Sequence, residues 1–326
     1  MKGMILAAGL GTRMRPLSYE LPKPVVPVLG RPLCTYNMEF LRRAGIRSLV
    51  LNLHTRPKLI QQSVTRWAGR SLRLNFTLEP VILGTGGGIW NAREHLAGGT
   101  FVTMNGDTIL SFPFADALAF HLDRKAMATL VLFPDPAKRY TPVWVDDEGR
   151  ITGFGTDAGT GSRAGFFTGC QILEPELLGK IPPGKASCII RETHAPLATR
   201  GDRVFGYLGS GRFREFGTPA DYLEGTLSLL SEGAENPAAS PAEPDGAALI
   251  PPVYIAAGAK IGRGARIGPL AAVEAGATVA EGASASRSVL WPGAVLTAGE
   301  KIDGAIVTPR RRVPVALPGI LSPPTP

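Results

Sequence analysis

Cysteine is rare in this sequence, with three among its 326 residues. Cys34, Cys170 and Cys188 form neither an even disulfide framework nor a CxxC pair, which excludes a disulfide-stabilised domain and a cysteine-ligated metal site. Each has apolar neighbours, so we interpret all three as small core residues. Unpaired core cysteines are typical of a reducing compartment, and we expect a cytoplasmic protein.

Long apolar runs are also missing. No run approaches the roughly 18 apolar residues of a membrane-spanning helix. The short run near the N-terminus ends in glycines and arginines instead of a signal cleavage site. We therefore expect no membrane partner.

Acidic residues are fewer than basic ones, 27 against 35, which gives a formal net charge of +8. A nucleic-acid-binding surface usually gathers such charge into a patch interleaved with aromatic residues. Here the only tight cluster of cations is Arg310-Arg311-Arg312. We expect no nucleic-acid partner and interpret the basicity as suited to small polyanionic substrates.

A glycine- and proline-rich segment follows the first apolar run. The run, residues 4–8, is typical of a buried parallel strand, and Gly9 and Gly11 after it let the backbone turn sharply and approach a ligand. Arg13 adds a cation that can bind phosphate oxygens through two nitrogens. Lys23 stands between two prolines that restrict its backbone. Together these features of one loop predict a triphosphate-binding site.

Two better-known phosphate motifs are excluded at this loop. A P-loop would require Gly-Lys-Ser or Gly-Lys-Thr after Gly11, and neither is present. A dinucleotide-binding motif would require a small residue in place of Met14 and an acidic residue at the end of the second strand. Asn52 and His54 stand there instead.

Predicted strands and helices alternate over the first part of the chain. Residues 46–53 and 72–78 have the pattern of strands, and residues 32–44 and 57–68 that of helices. This alternation predicts the α/β class, a Rossmann-like three-layer αβα domain with a mostly parallel sheet. Such sheets bind ligands at the carboxyl ends of their strands.

Three further features lie along this predicted domain. A glycine run at residues 84–88 begins a helix, although each glycine costs about 1 kcal/mol relative to alanine, so we infer that something lies against its backbone. Asp107 follows the strand at residues 101–104, and a carboxylate at the end of a central strand is a natural Mg²⁺ ligand. Gly169 interrupts another predicted strand, as a β-bulge would.

The sequence period changes towards the C-terminus. Aliphatic residues recur there every six positions, at Ile255, Ile261, Ile267, Val273 and Val279. A hexapeptide period is typical of a β-helix, in which each short strand places one aliphatic side chain in a shared core. The pattern is interrupted at residues 286–288 and is predicted to resume with Val289 and Val295.

The order of the first motifs, LAAGLGTRMRPL and then PKP with a short apolar strand, resembles the signature of the sugar-1-phosphate nucleotidyltransferases. The resemblance covers about residues 1–230, and a C-terminal hexapeptide-repeat left-handed β-helix is a frequent companion in that family. The domains expected from it and from the composition are a catalytic domain at 1–232, an Ala/Pro-rich linker at 233–249, a left-handed parallel β-helix at 250–308 and an irregular tail at 309–326.

The resemblance also implies a reaction. Members of the family make an NDP-sugar and pyrophosphate from an NTP and a sugar 1-phosphate, with Mg²⁺ as cofactor. By position, the catalytic residues are Arg13, Lys23 and Asp107, and the metal ligands are Asp107 and Glu215. The residues that would frame the base and the sugar are Leu6, Ala7, Ala8, Gly9, Gly11, Thr12, Gly84, Thr85, Gly86, Gly87, Asn105, Gly106 and Gly169.

The chain departs from the family pattern at two places. Many members carry Glu-Lys-Pro after a hairpin, and its lysine holds the sugar phosphate, whereas here Gly155 begins a glycine-rich loop. Glu215 stands where the family has a second metal-binding aspartate, and its side chain is one methylene longer. The sugar phosphate must therefore be held by other residues or more weakly.

Our best prediction is a mannose-1-phosphate guanylyltransferase-like enzyme. The alternatives are a UTP-dependent uridylyltransferase for N-acetylmuramate 1-phosphate or glucose 1-phosphate, and a catalytically weak regulatory subunit, which the two departures favour. A β-helix acyltransferase would generally use a histidine base, and the four histidines all precede the repeat. We therefore interpret the repeat as an element of homo-oligomerisation that takes no part in the chemistry.

Overall fold

The computed structural model describes residues 1–155, 163–233 and 246–316 of the chain. The chain divides into two compact units, Met1–Leu10 with Leu33–Arg214 and Gly11–Pro32 with Glu215–Pro326. The loop that carries Arg13 and Lys23 therefore belongs to the same unit as the C-terminal strands, a grouping that the predicted linear domains do not contain. Most of the predicted linker, at 234–245, and the end of the predicted tail, at 317–326, lie outside the described residues.

The helices are short. They are α1 (Thr35–Arg43), α2 (Pro57–Ala68), α3 (Gly84–Asn91), α4 (Arg93–Leu96), α5 (Phe114–Asp123), α6 (Ala195–Thr199) and α7 (Pro219–Ser231). Turns of 3-10 helix occupy Thr12–Met14, Leu17–Tyr19, Lys23–Val25 and Pro175–Lys180, and a π-helical turn occupies Ile190–His194. Over the described ranges, none of the helices has the length and apolar character needed to cross a membrane.

The strands up to the end of the first unit are numbered in chain order. They are β1 (Lys2–Leu6), β2 (Pro27–Val28), β3 (Arg31–Pro32), β4 (Ser48–Leu53), β5 (Arg73–Leu78), β6 (Phe101–Asn105), β7 (Thr108–Ser111), β8 (Ala128–Phe133), β9 (Pro142–Val145), β10 (Ile151–Phe154), β11 (Arg163–Leu173), β12 (Val204–Leu208) and β13 (Arg212–Glu215).

Nine strands of the first unit form one sheet whose centre is parallel. β1 pairs in parallel with β4 and β6, and β4 with β5. The antiparallel strand β11 then joins β6 to β8, and the hairpin of β9 and β10 extends that side. The predicted α/β class is confirmed, with antiparallel strands added beyond the parallel centre.

The sheet buries the apolar runs that predicted it. Met4, Phe101 and Leu130 have at most 1% of their surface exposed, and burying one such side chain contributes about 1.5–3 kcal/mol. Cys34 and Cys170 are also fully buried, and burial raises the pKa of the Cys34 thiol to about 12. These two are core residues as predicted, whereas Cys188 is only half-buried.

The C-terminal strands are two or three residues long. They are β14 (Ala248–Leu249), β15 (Val253–Ile255), β16 (Lys260–Ile261), β17 (Arg266–Ile267), β18 (Ala271–Val273), β19 (Thr278–Val279), β20 (Ser284–Ser286), β21 (Ser288–Leu290), β22 (Val295–Leu296), β23 (Lys301–Asp303), β24 (Ala305–Val307) and β25 (Arg312–Pro314). Strands β14 to β24 belong in turn to three parallel sheets, which begin with β14, β15 and β16. The last strand, β25, instead pairs antiparallel with β24. A chain that adds one strand to each sheet on every coil is a parallel β-helix, as the hexapeptide period predicts.

The predicted core positions hold for the first coils and then shift by one residue. Ile255, Ile267, Val273 and Val279 share one buried cluster. In the third coil Leu296 is buried in that cluster, whereas Val295, a predicted core residue, is 46% exposed. Leu290 likewise occupies the cluster position that was predicted for Val289.

A single deletion at one corner causes this shift. The step from Lys260 to its partner Thr278 is 18 residues, and the step from Thr278 to Val295 is 17. Arg287 alone turns the corner between β20 and β21, with a left-handed φ of 44°. The irregularity at residues 286–288 is therefore a corner shortened by one residue, after which the inward positions are Leu290 and Leu296 instead of Val289 and Val295.

Helix α7 covers the sheet of β18, β21 and β24. Thr218 caps it, because its hydroxyl accepts from the Asp221 amide and the Asp221 carboxylate accepts from the Thr218 amide. Tyr222 on this helix is fully buried. Val289, which faces away from the β-helix core, is nevertheless 0% exposed.

Glu274 is a buried carboxyl in the β-helix, and only 2% of its surface is exposed. Burial raises its pKa from 4.5 to about 7, although the Gly30 amide that it accepts lowers it. Tyr254 is its titratable neighbour, and burial with the Glu274 charge raises the pKa of that phenol to about 12.

We expect this carboxyl to make stability depend on pH. Because the pKa of Glu274 is higher in the folded chain than in the unfolded one, its contribution to the free energy of unfolding is fully present below about pH 4.5. This contribution is lost as the pH rises through about 7, by up to about 1.4 kcal/mol per pH unit. Urea unfolding of the wild type and of Glu274→Gln between about pH 5 and pH 8 measures the difference. Parallel stability curves for the two proteins would contradict the expectation.

Candidate active site

The glycine-proline loop of the second unit runs from Gly11 through three 3-10 turns. Gly11 has a left-handed φ of 62°, and a Cβ there would lie 3.2 Å from the Cβ of Lys23. The missing side chain lets the loop close onto the lysine. Only 7% of Lys23 is exposed, and the flanking prolines restrict its backbone. The loop therefore holds Lys23 by a rigid and largely buried stem.

Arg13 lies at the surface of the same loop. Its Nη2 donates to Oε1 of Glu215 at 3.0 Å, and 67% of the Arg13 side chain is exposed against 27% for Glu215. A Cβ at Gly217 would lie 3.0 Å from Glu215 Oε1 and 3.3 Å from Arg13 Nη1, so the glycine leaves room for the ion pair. An exposed pair contributes about 1 kcal/mol or less. Arg13 can therefore exchange Glu215 for a phosphate at little cost.

In the first unit, β1 and β6 end side by side. Leu6 is the register partner of Asn105, and the Gly106 amide donates to the Leu6 carbonyl at 2.9 Å. A Cβ at Gly106 would lie 2.8 Å from that oxygen. After Leu6 the chain leaves the sheet through residues 7–9, whose two alanines are buried and whose glycine is exposed. The predicted residues of the first and central strands thus meet at the carboxyl edge of the sheet.

A buried polar network connects this edge to the glycine run. The Ala7 amide donates to Asn52 Oδ1 at 2.8 Å, and Asn52 Nδ2 donates to Glu79 Oε1 at 2.7 Å. Glu79 Oε2 accepts the Leu83 amide, just before α3, at 2.9 Å. A Cβ at Gly88 would approach Asn52 and Glu79 within 2.8 Å. This glycine is required by the network.

The other glycines of the run contact a neighbouring segment of the protein, residues 185–189. The Gly86 amide donates to the Ser187 carbonyl at 2.8 Å. A Cβ at Gly84 would lie 2.7 Å from the same carbonyl oxygen. What lies against these glycines is therefore the chain itself. Nucleotide or sugar contact at residues 84–87 stays a prediction.

The turn that carries Asp107 is fixed at both ends by one side chain. Asn37 in α1, fully buried, donates through Nδ2 to the carbonyls of Asn105 and Thr108, each at 2.9 Å. Its Oδ1 accepts the Leu110 amide at 3.1 Å. Asp107 lies between these anchors with its surface partly exposed. The turn is therefore set before any ligand binds.

Gly169 lies in a bulge of β11. Its φ is +81°, and the register between β11 and β8 changes between Phe167 and Gln171. A Cβ at Gly169 would lie 2.4 Å from Asn105 Nδ2. The bulge thus makes room for Asn105 at the end of β6.

A family model described as nucleotidyl transferase matches residues 2–231, which include every segment described above as part of the site. The chain belongs to the nucleotidyl transferase family. The predicted enzyme class is thereby confirmed.

Two curated relatives cover most of this nucleotidyl transferase. It is 30% identical over 268 residues to the mannose-1-phosphate guanylyltransferase of Mycobacterium tuberculosis, over 80% of this chain and 74% of that protein. It is 32% identical over 237 residues to the mannose-1-phosphate guanyltransferase of Schizosaccharomyces pombe. That alignment covers 71% of this chain and 65% of the yeast protein, slightly less than two thirds.

A solved structure has a similar fold. HddC from Yersinia pseudotuberculosis, complexed with GMP-PN, is 25% identical with a TM-score of 0.60. The alignment covers 70% of this chain and 99% of that chain. Nearly all of that protein therefore has a counterpart in this nucleotidyl transferase.

The predicted metal ligands of this nucleotidyl transferase belong to different units. Asp107 lies in the first unit and Glu215 at the start of a segment of the second. Across residues 1–155, 163–233 and 246–316, no three His, Cys, Asp or Glu side chains form a group that could hold a metal ion. Mg²⁺ binding by these two residues is taken up below as a proposal.

Three supporting residues were missed from the sequence. Asn37, Asn52 and Glu79 are each at most 2% exposed, and each fixes backbone of the predicted site. Asn52 lies near the end of the predicted strand at residues 46–53, and Glu79 directly follows the one at 72–78. This position at a strand end is the one local feature that could have indicated them. Asn37 lies inside a helix, and nothing in its neighbourhood distinguishes it.

Substituting Asn37 with alanine should lower both stability and turnover. The variant leaves the Leu110 amide and two carbonyls without their partner, which costs about 1–3 kcal/mol for each buried group left unsatisfied. The freed turn should also displace Asp107. Urea unfolding and pyrophosphate release measure the two effects, with Gln62→Ala, an exposed amide on α2, as the control. Normal turnover in a destabilised variant would show that the turn does not depend on Asn37.

Proposed function

We propose that this nucleotidyl transferase transfers the guanylyl group of GTP to mannose 1-phosphate and releases pyrophosphate. The observation that carries the proposal is its similarity to two proteins named as such enzymes, over 80% and 71% of this chain. The ordered site residues lie within that similarity and support the same reaction class.

In this reaction an oxygen of the sugar phosphate attacks the α-phosphorus of GTP in line. A P–O bond forms, and the bond to the bridging oxygen of the β-phosphate breaks, with its electrons leaving on pyrophosphate. Positioning and charge neutralisation supply most of the rate in such a transfer. Lys23 neutralises the reacting phosphates from its rigid stem, and exposed Arg13 grips the triphosphate.

Asp107 and Glu215 are the residues that would hold Mg²⁺. Carboxylate oxygens are the ligands this ion prefers, and both side chains are partly exposed. When bound, the ion neutralises phosphate charge. Glu215 Oε1 accepts from Arg13 Nη2, and a carboxylate has enough lone pairs to bind a guanidinium and a metal cation together.

The base and the sugar would lie along the carboxyl edge of the sheet. Residues 6–9, 105–106 and 169 come together there, and the glycine run is connected to that edge through Asn52 and Glu79. The sugar phosphate would be held without the lysine that many family members use, because no Glu-Lys-Pro follows Phe154.

A substrate panel tests the function. The purified chain is given each of GTP, UTP, ATP, CTP and dTTP with mannose, glucose or N-acetylmuramate 1-phosphate, and pyrophosphate release is measured. We expect GTP with mannose 1-phosphate to exceed every other pair in kcat/KM by at least about tenfold. A preference for UTP would establish the uridylyltransferase alternative. No turnover with any pair would favour a regulatory subunit.

Glu215→Gln separates two roles for that residue. If Glu215 binds Mg²⁺, we expect the variant to need about tenfold more Mg²⁺ for half-maximal turnover, since a charged ligand is lost. If it only orients Arg13, the KM for the NTP should rise while the Mg²⁺ dependence stays unchanged. Glu224→Gln, an exposed acid on α7, is the matched control. Wild-type behaviour in both titrations would exclude both roles.

The protein is further proposed to be cytoplasmic and to self-associate through the β-helix. The free cysteines support a cytoplasmic location. The sheet of β16, β19 and β22 supports self-association, because Val295 on it is 46% exposed. Sedimentation equilibrium of the purified chain measures the association.

A further inference from the structure

One corner of the β-helix carries a column of buried side chains with polar groups. Glu274, Trp291 and Thr308 each directly follow a strand of the same sheet, β18, β21 and β24. These strands pair in parallel, so the three residues stack on successive coils. Their exposed fractions are 2%, 1% and 0%. Buried polar groups are costly unless hydrogen-bonded. Glu274 and Thr308 of this corner column bond directly to the loop of residues 11–32, and Trp291 reaches it through Tyr222 of α7.

Glu274 holds the end of that loop. Both of its carboxylate oxygens accept the Gly30 amide, each at 3.0 Å. Gly30 has a left-handed φ of 78°, and a Cβ there would collide with the Tyr254 hydroxyl. The turn therefore bonds to the Glu274 carboxyl and packs against the phenol, and a residue with a side chain at this position would displace Tyr254.

Trp291 holds the middle of the loop through an intermediary. Its indole Nε1 donates to the Tyr222 hydroxyl at 2.8 Å, and that hydroxyl donates to the carbonyl of Pro27. Tyr222 and Trp291 are both buried, with ring centroids 6.0 Å apart in an edge-to-face arrangement. Pro27 begins β2, shortly after the turn Lys23–Val25.

Thr308 holds the loop on the other side of Lys23. Its hydroxyl donates to Oε1 of Glu20 at 2.7 Å. Arg311 approaches the same oxygen, with Nε at 3.5 Å, and the Glu20 side chain is only 10% exposed. Hydrogen bonds to a charged group are stronger than those between neutral groups.

We infer that the corner column is a positioning element for catalysis, which sets Lys23 by fixing the loop on both sides of it. This inference rests on the proposed function, in which Lys23 neutralises the reacting phosphates. Glu20 precedes the lysine, and Pro27 and Gly30 follow it. Glu274 bonds to the Gly30 amide directly, and Trp291 orients the Tyr222 hydroxyl that bonds to the Pro27 carbonyl, so these two contacts act on loop backbone and specify the path of the chain. Displacement of a catalytic group by about 1 Å can cost about 10²-fold in rate. The β-helix therefore takes part in the chemistry through the loop, in addition to any role in self-association.

Three substitutions in the full chain test the column one coil at a time. Glu274→Ala removes the acceptor, Trp291→Phe removes the indole donor, and Thr308→Val removes the hydroxyl while keeping its shape. We expect each to lower kcat/KM for the NTP by about tenfold or more, with the KM for the sugar 1-phosphate unchanged within about twofold. Glu274→Gln keeps one acceptor oxygen and should therefore retain most of the kcat/KM that Glu274→Ala loses. Glu281→Gln, an exposed acid of the same β-helix, should match the wild type.

Hydrogen exchange at residues 11–32 gives a readout that does not depend on turnover. Loss of a column contact should raise the exchange of these amides by about tenfold or more, while the amides of β1 and β6 stay protected. Unchanged exchange and kcat/KM in folded Thr308→Val and Glu274→Ala variants would overturn the inference. A lowered Tm with normal kinetics would do the same, because it would make the column merely structural. If the wild type turns over no NTP, the proposed function fails and the exchange result alone decides the inference.

Discussion

Replacement of Asp107 with asparagine is expected to abolish practical turnover, with kcat/KM lower by about 10³-fold or more. Asp107 lies on the turn after β6, whose two ends are bonded to Asn37. The turn is preorganised, and asparagine keeps its size while removing the negative charge. A carboxylate is the ligand that Mg²⁺ prefers, so added metal should not rescue the variant. Pyrophosphate release across a Mg²⁺ titration measures the effect.

The control for Asp107 is Asp147→Asn in the exposed turn between β9 and β10. It should retain wild-type turnover. Circular dichroism and thermal unfolding show whether the Asp107 variant is folded. A folded Asp107→Asn variant that kept more than about a tenth of the wild-type rate would exclude a metal-binding carboxylate at this position.

Replacement of Lys23 with alanine is expected to lower kcat/KM by about 10²-fold or more, the scale of losing one preorganised charged donor. Lys23 is 7% exposed, lies between prolines and is enclosed by the loop where Gly11 lacks a side chain. We expect Lys23→Arg to restore the activity only in part. The guanidinium is wider than the ammonium, and the loop confines the aliphatic part of the side chain. Single-turnover measurements with saturating NTP separate the chemical step from binding.

Lys58→Ala, on the exposed surface of α2, is the matched control for the loss of one positive charge. It should leave kcat/KM unchanged. Near wild-type turnover in a folded Lys23→Ala variant would mean that another cation neutralises the reacting phosphates. Arg13 would then be the residue to replace next.

Local patterns in the sequence predicted the elements of the fold well. The apolar run at residues 4–8 does form a central strand, although β1 ends at Leu6 and the two alanines already belong to the loop. The hexapeptide period predicted the β-helix because each coil repeats the same contacts. It failed at Val295 because the corner at Arg287 is one residue shorter, which moves the next inward positions to Leu290 and Leu296, and the period does not show where a corner is shortened.

The supporting residues of the site could be predicted much less well. Asp107, Arg13 and Lys23 lie in motifs whose local order is informative. Asn37 bonds to the backbone of Thr108, and Glu274 bonds to the backbone of Gly30. Both partners are far away in sequence, and the residues around Asn37 and Glu274 do not predict them. The glycine run shows the same limit, because the sequence indicated close contact there but not that residues 185–189 make it.

The pairing of the loop with the last coils has a consequence for synthesis of the protein. Residues 11–32 leave the ribosome early, yet Gly30 bonds across 244 residues to Glu274, and Glu20 across 288 residues to Thr308. Contacts of such sequence separation form late, because a long stretch of chain must be closed first. A nascent chain therefore carries the loop of residues 11–32 without these partners until Glu274 and Thr308 have been made. Chains that stop before residue 308 lack the partner of Glu20, and we expect their kcat/KM to be lower than that of the full chain by about tenfold or more.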